Sequence, residues 1–328
     1  MRPFEYERAT DVAGAVGQLS RPGAKPLGGG TNLLDLMKLG VERPGVLVDV
    51  THLGLDGVDA LPDGGLRIGA GVRNSVLAAD RAVRERYPVL ATALLAAASG
   101  QLRNMATVGG NLLQRTRCLS FMDTSKACNK REPGSGCSAV NGISRDLAVL
   151  GASASCVATA PGDMAVALSA LDAVVHFETL DGPGHLPLEQ FYRLPGDAPE
   201  RDSELPVGAL ITAVDVPALS YGAVSTYRKA RDRASYAFAL VSVAAALDVE
   251  GSRVRDVRLS LGAVAHKPWR ARRAEDLLRG APATPDSFRR AAEAELAAAA
   301  PLTDNAFKVP LATRLVVSTL TELAGRSA

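Results

Sequence analysis

All four cysteines of the 328-residue chain, Cys118, Cys128, Cys137 and Cys156, fall in one window of 39 residues, and the other 289 positions have none. Cysteines that only fill core space would be scattered, so the clustering points to a shared task and requires the window to fold back on itself. A disulfide framework is disfavoured in a chain of this size that opens with Arg2, Glu5, Glu7 and Arg8 and shows no secretory signal. The spacing is C-x9-C-x8-C-x18-C. Structural zinc sites normally use cysteine pairs roughly two to four residues apart; no such pair exists here, and no histidine lies inside the window. Iron–sulfur ligation needs four thiolates but no fixed short spacing, and Pro133, Gly134 and Gly136 supply turns with which the segment can wrap a cubane. A zinc site completed from elsewhere and free thiols stand as the alternatives.

Around this window the chain alternates helix-like and strand-like stretches. Helical spacing runs over Asp11–Arg21, Leu33–Gly40, Ser75–Tyr87 and Val89–Gly100, and β-rich runs occur at Gly45–Val50 and Gly65–Val72. Apolar alternation returns over Met164–Thr179, and a loop rich in Pro, Asp and Gly spans Leu194–Leu205. After a boundary near Leu219–Gly222 the pattern predicts a strand (Ala223–Lys229), a helix (Ala237–Leu247), a strand (Val254–Val264) and helices from Ala271 onward. The fold class expected is α+β, with one domain over 1–220, subdomains at about 1–55 and 56–220, an insertion at 112–162, and a C-terminal domain over 221–328. With 37 basic and 35 acidic side chains the net charge is only +2, which argues against nucleic acid and anionic membrane as partners. The longest uncharged stretch, Leu147–Gly162, falls short of the ~20 apolar residues a membrane helix needs, so a soluble protein without membrane insertion is expected.

Two glycine loops carry the next signal. Lys25-Pro26-Leu27-Gly28-Gly29-Gly30-Thr31-Asn32-Leu33 offers backbone N–H groups free of Cβ hindrance, and the helix that follows would turn its N-terminus toward a phosphate. It matches neither the Rossmann GxGxxG nor a Walker loop. A second loop, Thr107-Val108-Gly109-Gly110-Asn111, suits a dinucleotide held at its pyrophosphate from two sides.

Together, GGGTNLLDLMK and RNMATVGGN resemble the flavoprotein (medium) subunit of the xanthine dehydrogenase, or molybdenum hydroxylase, family, with its vanillyl-alcohol-oxidase (PCMH)-type FAD fold. Arg228–Leu247 and Gly262–Ala271 look like that family's α+β C-terminal domain, typified by the carbon monoxide dehydrogenase flavoprotein, so the resemblance runs from about Phe4 to Leu320. It implies that Lys25 to Leu33 wrap the FAD pyrophosphate, with Gly28 to Asn32 nearest. Thr107, Gly110 and Asn111 would meet the phosphate and ribityl side, Asp163 the ribityl or flavin region, and Lys229 the isoalloxazine. Read from the residues alone, Asp163 is equally an N-cap for a helix starting at Met164, and Lys229 a solvated strand-end charge.

RTRC, CNKREPGSGC and SCVATAPGDM resemble the subfamily of bacterial aldehyde oxidoreductases whose flavoprotein subunit carries a [4Fe–4S] cluster in this insertion, and all four cysteines match. The departures are Ala160, where histidine is expected, and Asp146, where a neutral polar residue is usual. Arg115, Arg117, Lys126, Lys130 and Arg131 flank the cysteines; they would raise a cluster's potential, or form a solvated basic loop or a docking surface. The resemblance further implies partners: a large molybdopterin-binding subunit and a small [2Fe–2S] subunit. Electrons would run from molybdenum through the [2Fe–2S] centres to FAD here and on to an external acceptor. Assembly in the cytoplasm is expected, with final residence there or, by export with a signal-bearing partner, in the periplasm. No catalytic acid, base or nucleophile is expected, and His52, His176, His185 and His266 read as isolated structural residues. The competing functions are a stand-alone FAD-dependent oxidoreductase of the same fold and a zinc-stabilised nucleotide-binding module.

Overall fold

The computed structural model describes residues 1–327, which form three sheets with helices packed on and between them. The first sheet is parallel, in the order β1-β3-β2: Glu5–Arg8 (β1), Ala24–Leu27 (β2) and Val46–Asp49 (β3). The apolar run Val46-Leu47-Val48 of β3, the central strand, buries the adjacent Leu47 and Val48 on its two faces, and both neighbours pair with it. The crossover from β2 to β3 contains the first glycine loop and the helix Leu33–Lys38, so the loop lies off the C-terminal end of β2, where open parallel sheets place ligands.

The second sheet is antiparallel, in the order β4-β5-β8-β6-β7, from Val58–Ala60 (β4), Leu66–Gly69 (β5), Val174–Thr179 (β6), Gly182–Pro187 (β7) and Leu210–Val216 (β8). The third, also antiparallel, runs β12-β11-β10-β9, from Ser225–Ala230 (β9), Val241–Glu250 (β10), Arg253–Gly262 (β11) and Trp269–Arg270 (β12). Its outer face is covered by Arg272–Leu278, Pro285–Leu296 and Lys308–Ser327, whose apolar residues share a core with Val241, Val243, Ala245 and Leu247. Its inner face, with Tyr227 and Ala244, joins the core of the preceding unit against helices Pro88–Ala96 and Asp163–Ala170.

That double coverage corrects one expectation. The predicted helix Ala237–Leu247 is a strand: residues 241–247 are buried to the last one, because both faces are covered. A strand buried on both faces has no polar alternation, and its alanines read as helix formers. Small Ser242, Ala244 and Ala246 sit where the helix Asp163–Ala170 packs close. The apolar run from Met164 to Thr179 is likewise split, into the fully buried helix Asp163–Ala170 and strand β6. Ser75–Tyr87 becomes two short helices broken at Asp80, whose side chain caps the second.

Among the described residues no helix is long and apolar enough to cross a membrane. The C-terminal helix pins the cysteine segment through Lys308, a wholly buried lysine donating to the carbonyls of Leu147 (3.0 Å) and Ala263 (2.8 Å). Burial pushes the Lys308 ammonium down to about 8. The folded state therefore releases this proton before the unfolded chain does, and the Lys308 contribution favours folding increasingly as pH rises above 8. Between pH 8 and 9 wild type should gain about 1 kcal/mol of urea stability relative to Lys308→Met. Parallel pH profiles for the two proteins would remove this account.

Candidate functional site

The two glycine loops meet face to face, and the contact has no room for side chains. A Cβ at Gly28 would stand 2.8 Å from Oγ1 of Thr107, and one at Gly29 only 1.9 Å from the carbonyl oxygen of Met105. Gly30 has φ +71°, a left-handed conformation natural to glycine. Thr107 caps the short helix Val108–Leu112, its hydroxyl accepting from the Gly110 N–H at 3.2 Å.

Two cavities, of about 430 and 980 Å³, adjoin this contact and share Gly29, Gly30, Thr31, Asn32, Gly110 and Gln114 in their walls. The smaller is lined further by Lys25, Pro26, Leu27, Gly28, Leu33, Thr107, Arg115 and Asp202. The larger includes Asn111, Cys118, Asp163, Lys229, Tyr236 and Phe238. Lys25 to Leu33, Thr107, Gly110, Asn111, Asp163 and Lys229 thus each line one lobe or the other. Buried polar atoms without a hydrogen-bond partner face this region: Nδ2 of Asn32 and Oδ1 of Asn111. Groups of that kind in a glycine-walled septum fit a polar, phosphate-bearing middle of an elongated ligand.

Asp163 is not the N-cap that the residues alone allowed. Gly162 occupies that position, and Asp163 turns its carboxylate across to β9. There it accepts from Lys229 Nζ at 2.8 Å and from the Tyr227 hydroxyl. Nor is Lys229 a solvated charge: its side chain is 3% exposed and also donates to the Ala96 carbonyl at 3.3 Å. Burial and the adjacent Asp163 push the Tyr227 phenol well above its ordinary range, so it stays a donor.

The cysteine segment is folded by its own polar contacts. Cys128 and Cys137 pair as an isolated antiparallel bridge, while Asn129 accepts from the Gly136 N–H and donates to the Ser155 carbonyl, drawing the Cys156 turn in. Cys118 packs with Cys128 in one small apolar cluster and with Cys137 in another. Among the described residues no three His, Cys, Asp or Glu side chains are grouped to hold a single metal ion. A tetrahedral zinc needs its sulfurs about 2.3 Å from one point; a cubane, with a separate iron for each thiolate, is served by a more open set. Burial raises the Cys118 thiol and pushes that of Cys156 up to about 11.

Lys130 and Arg115 stand out beside the cysteines in the sequence, but their partners Asp202 and Glu42 do not. Lys130, buried with its side chain 1% exposed, bonds to Asp202 and to the Pro199 carbonyl (2.6 Å). Asp202 also accepts from Arg115 Nε at 2.8 Å, and Arg115 reaches Glu42 at 2.7 Å. Burial would raise the Asp202 carboxyl, but His266, Lys130 and Arg115 outweigh it and hold the group well below the usual carboxylate range. The histidines are not all isolated: His266 Nε2 stands 3.6 Å from Asp202, and His176 Nε2 2.8 Å from Asp215. Burial lowers the His266 imidazole, which is therefore neutral at pH 7.

The comparisons with known proteins agree with this geometry. The sequence model of the family described as "FAD binding domain in molybdopterin dehydrogenase" matches residues 2–219, and that of the "CO dehydrogenase flavoprotein C-terminal domain" matches 225–323. The chain is 52% identical over 325 residues to the aldehyde oxidoreductase FAD-binding subunit PaoB of Escherichia coli (strain K12), covering 98% of each chain. It is 26% identical to the glyceraldehyde dehydrogenase medium chain of Sulfolobus acidocaldarius, covering 83% of this chain and 79% of that one. A solved carbon monoxide dehydrogenase chain from Hydrogenophaga pseudoflava matches all of the fold with TM-score 0.77, 24% identity and 100% coverage of both chains. The expected fold class is borne out.

Removing one partner from a buried ion pair strands the other, at about 3–5 kcal/mol. Lys229→Met should accordingly lower urea stability by that order, whereas Tyr227→Phe, which removes one hydrogen bond to a charged group, should cost about 1.5–3 kcal/mol. Equal, negligible effects would mean that the helix-to-strand contact is not formed.

Proposed function

Because the chain belongs to the FAD-binding medium subunits of the molybdenum hydroxylases, we propose that it is the electron-transfer flavoprotein of an aldehyde-oxidising complex. The observation that carries this reading is the pair of cavities sharing a glycine septum, with Cys118 on the wall of the larger one. Gly28 to Asn32, facing Thr107, Gly110 and Asn111, would hold the FAD pyrophosphate, with Lys25, Pro26, Leu27 and Leu33 completing the wrap. Asp163 and Lys229 would present their paired charges to the flavin end. Bound FAD supplies exchange between two-electron and one-electron chemistry. The chain's own residues bind and orient it, and the buried Asp163–Lys229 pair fixes the polarity of the wall it would meet.

Cys118, Cys128, Cys137 and Cys156 would hold a [4Fe–4S] cluster beside the larger lobe. In support, Cys128 and Cys137 pair across a bridge, Cys118 packs in clusters with each of them, and Asn129 ties in the turn that carries Cys156, on a segment held by buried charges. A one-electron centre is useful when electrons enter or leave singly, which favours this reading over a stand-alone flavoenzyme. The natural partners are a large molybdopterin-binding subunit, where the aldehyde would be oxidised, and a small [2Fe–2S] subunit. The E. coli relative is itself described as a subunit and the Sulfolobus relative as a medium chain.

Anaerobically purified protein should contain FAD together with about four irons and four acid-labile sulfides per chain. An EPR signal should appear on reduction and be lost in Cys156→Ser. Zinc in place of iron, or no metal, would sink the cluster and promote the stand-alone flavoprotein. The septum has its own test: Gly29→Ala overpacks a backbone contact, at about 1–3 kcal/mol. Flavin affinity should fall roughly tenfold or more, by titration of the apoprotein with FAD. Unchanged affinity would remove the pyrophosphate from this loop.

A further inference from the structure

We propose that the buried Lys130–Asp202 ion pair sets the reduction potential of the group held by the four cysteines, an inference that rests on the cluster reading above. Lys130 lies between Cys128 and Cys137 in the chain, and its ammonium is sealed from solvent, so its charge acts through protein rather than water. Its neighbour Asn129 donates to the Ser155 carbonyl at 3.0 Å, and Cys128 pairs with Cys137, so the turn that bears Lys130 is tied to the chain at Cys137 and beside Cys156. Asp202 is the lysine's counter-charge, supplied by the loop before β8 and held in turn by Arg115, which also pairs with Glu42. Lys25 ends the chain of charges 3.3 Å from Glu42. The signs therefore alternate from the rim of the smaller cavity inward, and the last one, nearest the cysteines in sequence, is positive. Neutral His266, beside Asp202, adds no charge of its own.

The physical consequence is signed. Reduction adds one electron to the cluster and makes or breaks no bond, so a fixed cation nearby stabilises the reduced form and an anion destabilises it. Lys130→Met leaves Asp202 less compensated and should lower the midpoint potential. Asp202→Asn leaves Lys130 less compensated and should raise it. Lys130→Arg keeps the charge and should stay near wild type. A merely structural role for the pair would not produce shifts of opposite sign.

The test is an EPR-monitored redox titration of the intact, anaerobically purified protein with dithionite, with iron and flavin content measured on the same samples. Opposite shifts in Lys130→Met and Asp202→Asn, with Lys130→Arg unmoved, support the assignment. Unmoved or same-sign shifts with four irons retained overturn it and leave the cluster reading intact. Wild type without iron overturns that reading, and this inference with it. Should the clamp variants shed iron, Glu42→Gln removes one negative charge at the far end of the network without touching the cysteine loop's own bonds. A raised potential there supports the proposal, and an unchanged or lowered one overturns it.

Discussion

The close approach of Gly29 to the Met105 carbonyl is the contact on which the rest of the architecture turns. It brings a loop from the small parallel sheet against a loop from the larger unit, and only backbone can meet backbone at that distance. Once the two loops touch, the space beside them becomes two lobes with a common wall of N–H groups and short polar side chains. One Cβ at that point would force the loops apart, which is why glycine stands there. Propensity would never favour it there, since glycine loses more conformational entropy on folding than any other residue.

The larger lobe depends on a second joint, at which the C-terminal sheet closes one side. Helix Asp163–Ala170 is buried along its whole length between two cores, and its first residue reaches out to Lys229 and Tyr227. At its other end Arg270 donates to the Ser169 carbonyl and to Asp172 while pairing with the fully buried Glu275. Charges at both ends of one helix thus tie the C-terminal unit to it, and a wall of the larger lobe is built from both units.

Much of this was legible in the sequence, for reasons tied to particular residues. The glycine loops and clustered cysteines declare themselves because few other tasks need those residues so concentrated. Strand β3 and the helix Leu33–Lys38 carry ordinary periodicity and were read correctly. Strand β10 was misread because burial on both faces erases the alternation that marks a strand. The acidic loop Leu194–Leu205 holds Asp197, Glu200, Asp202 and Glu204, and nothing in their order shows that Asp202 alone turns inward to Lys130, Arg115 and His266. Long-range charge pairing has no local periodicity, so it becomes visible only once the fold places the partners together.

That hidden network also bears on how the cysteine segment keeps its shape. Burial opposes ionisation of Cys118 and Cys156, so as bare thiols they are poor at holding one another. The segment is instead anchored by Lys130 on Asp202, Asn129 across the Cys128–Cys137 bridge, Arg131 on the Ser120 and Phe121 carbonyls, and Lys308 on the Leu147 carbonyl. Three consecutive residues of the segment, Asn129, Lys130 and Arg131, and the remote Lys308 thus hold its turns in place. A segment organised this way does not have to be folded by the group it binds, unlike a small zinc domain that is unfolded without its ion. The adjoining lobe, with Cys118 in its wall, then keeps its form whatever the thiols hold.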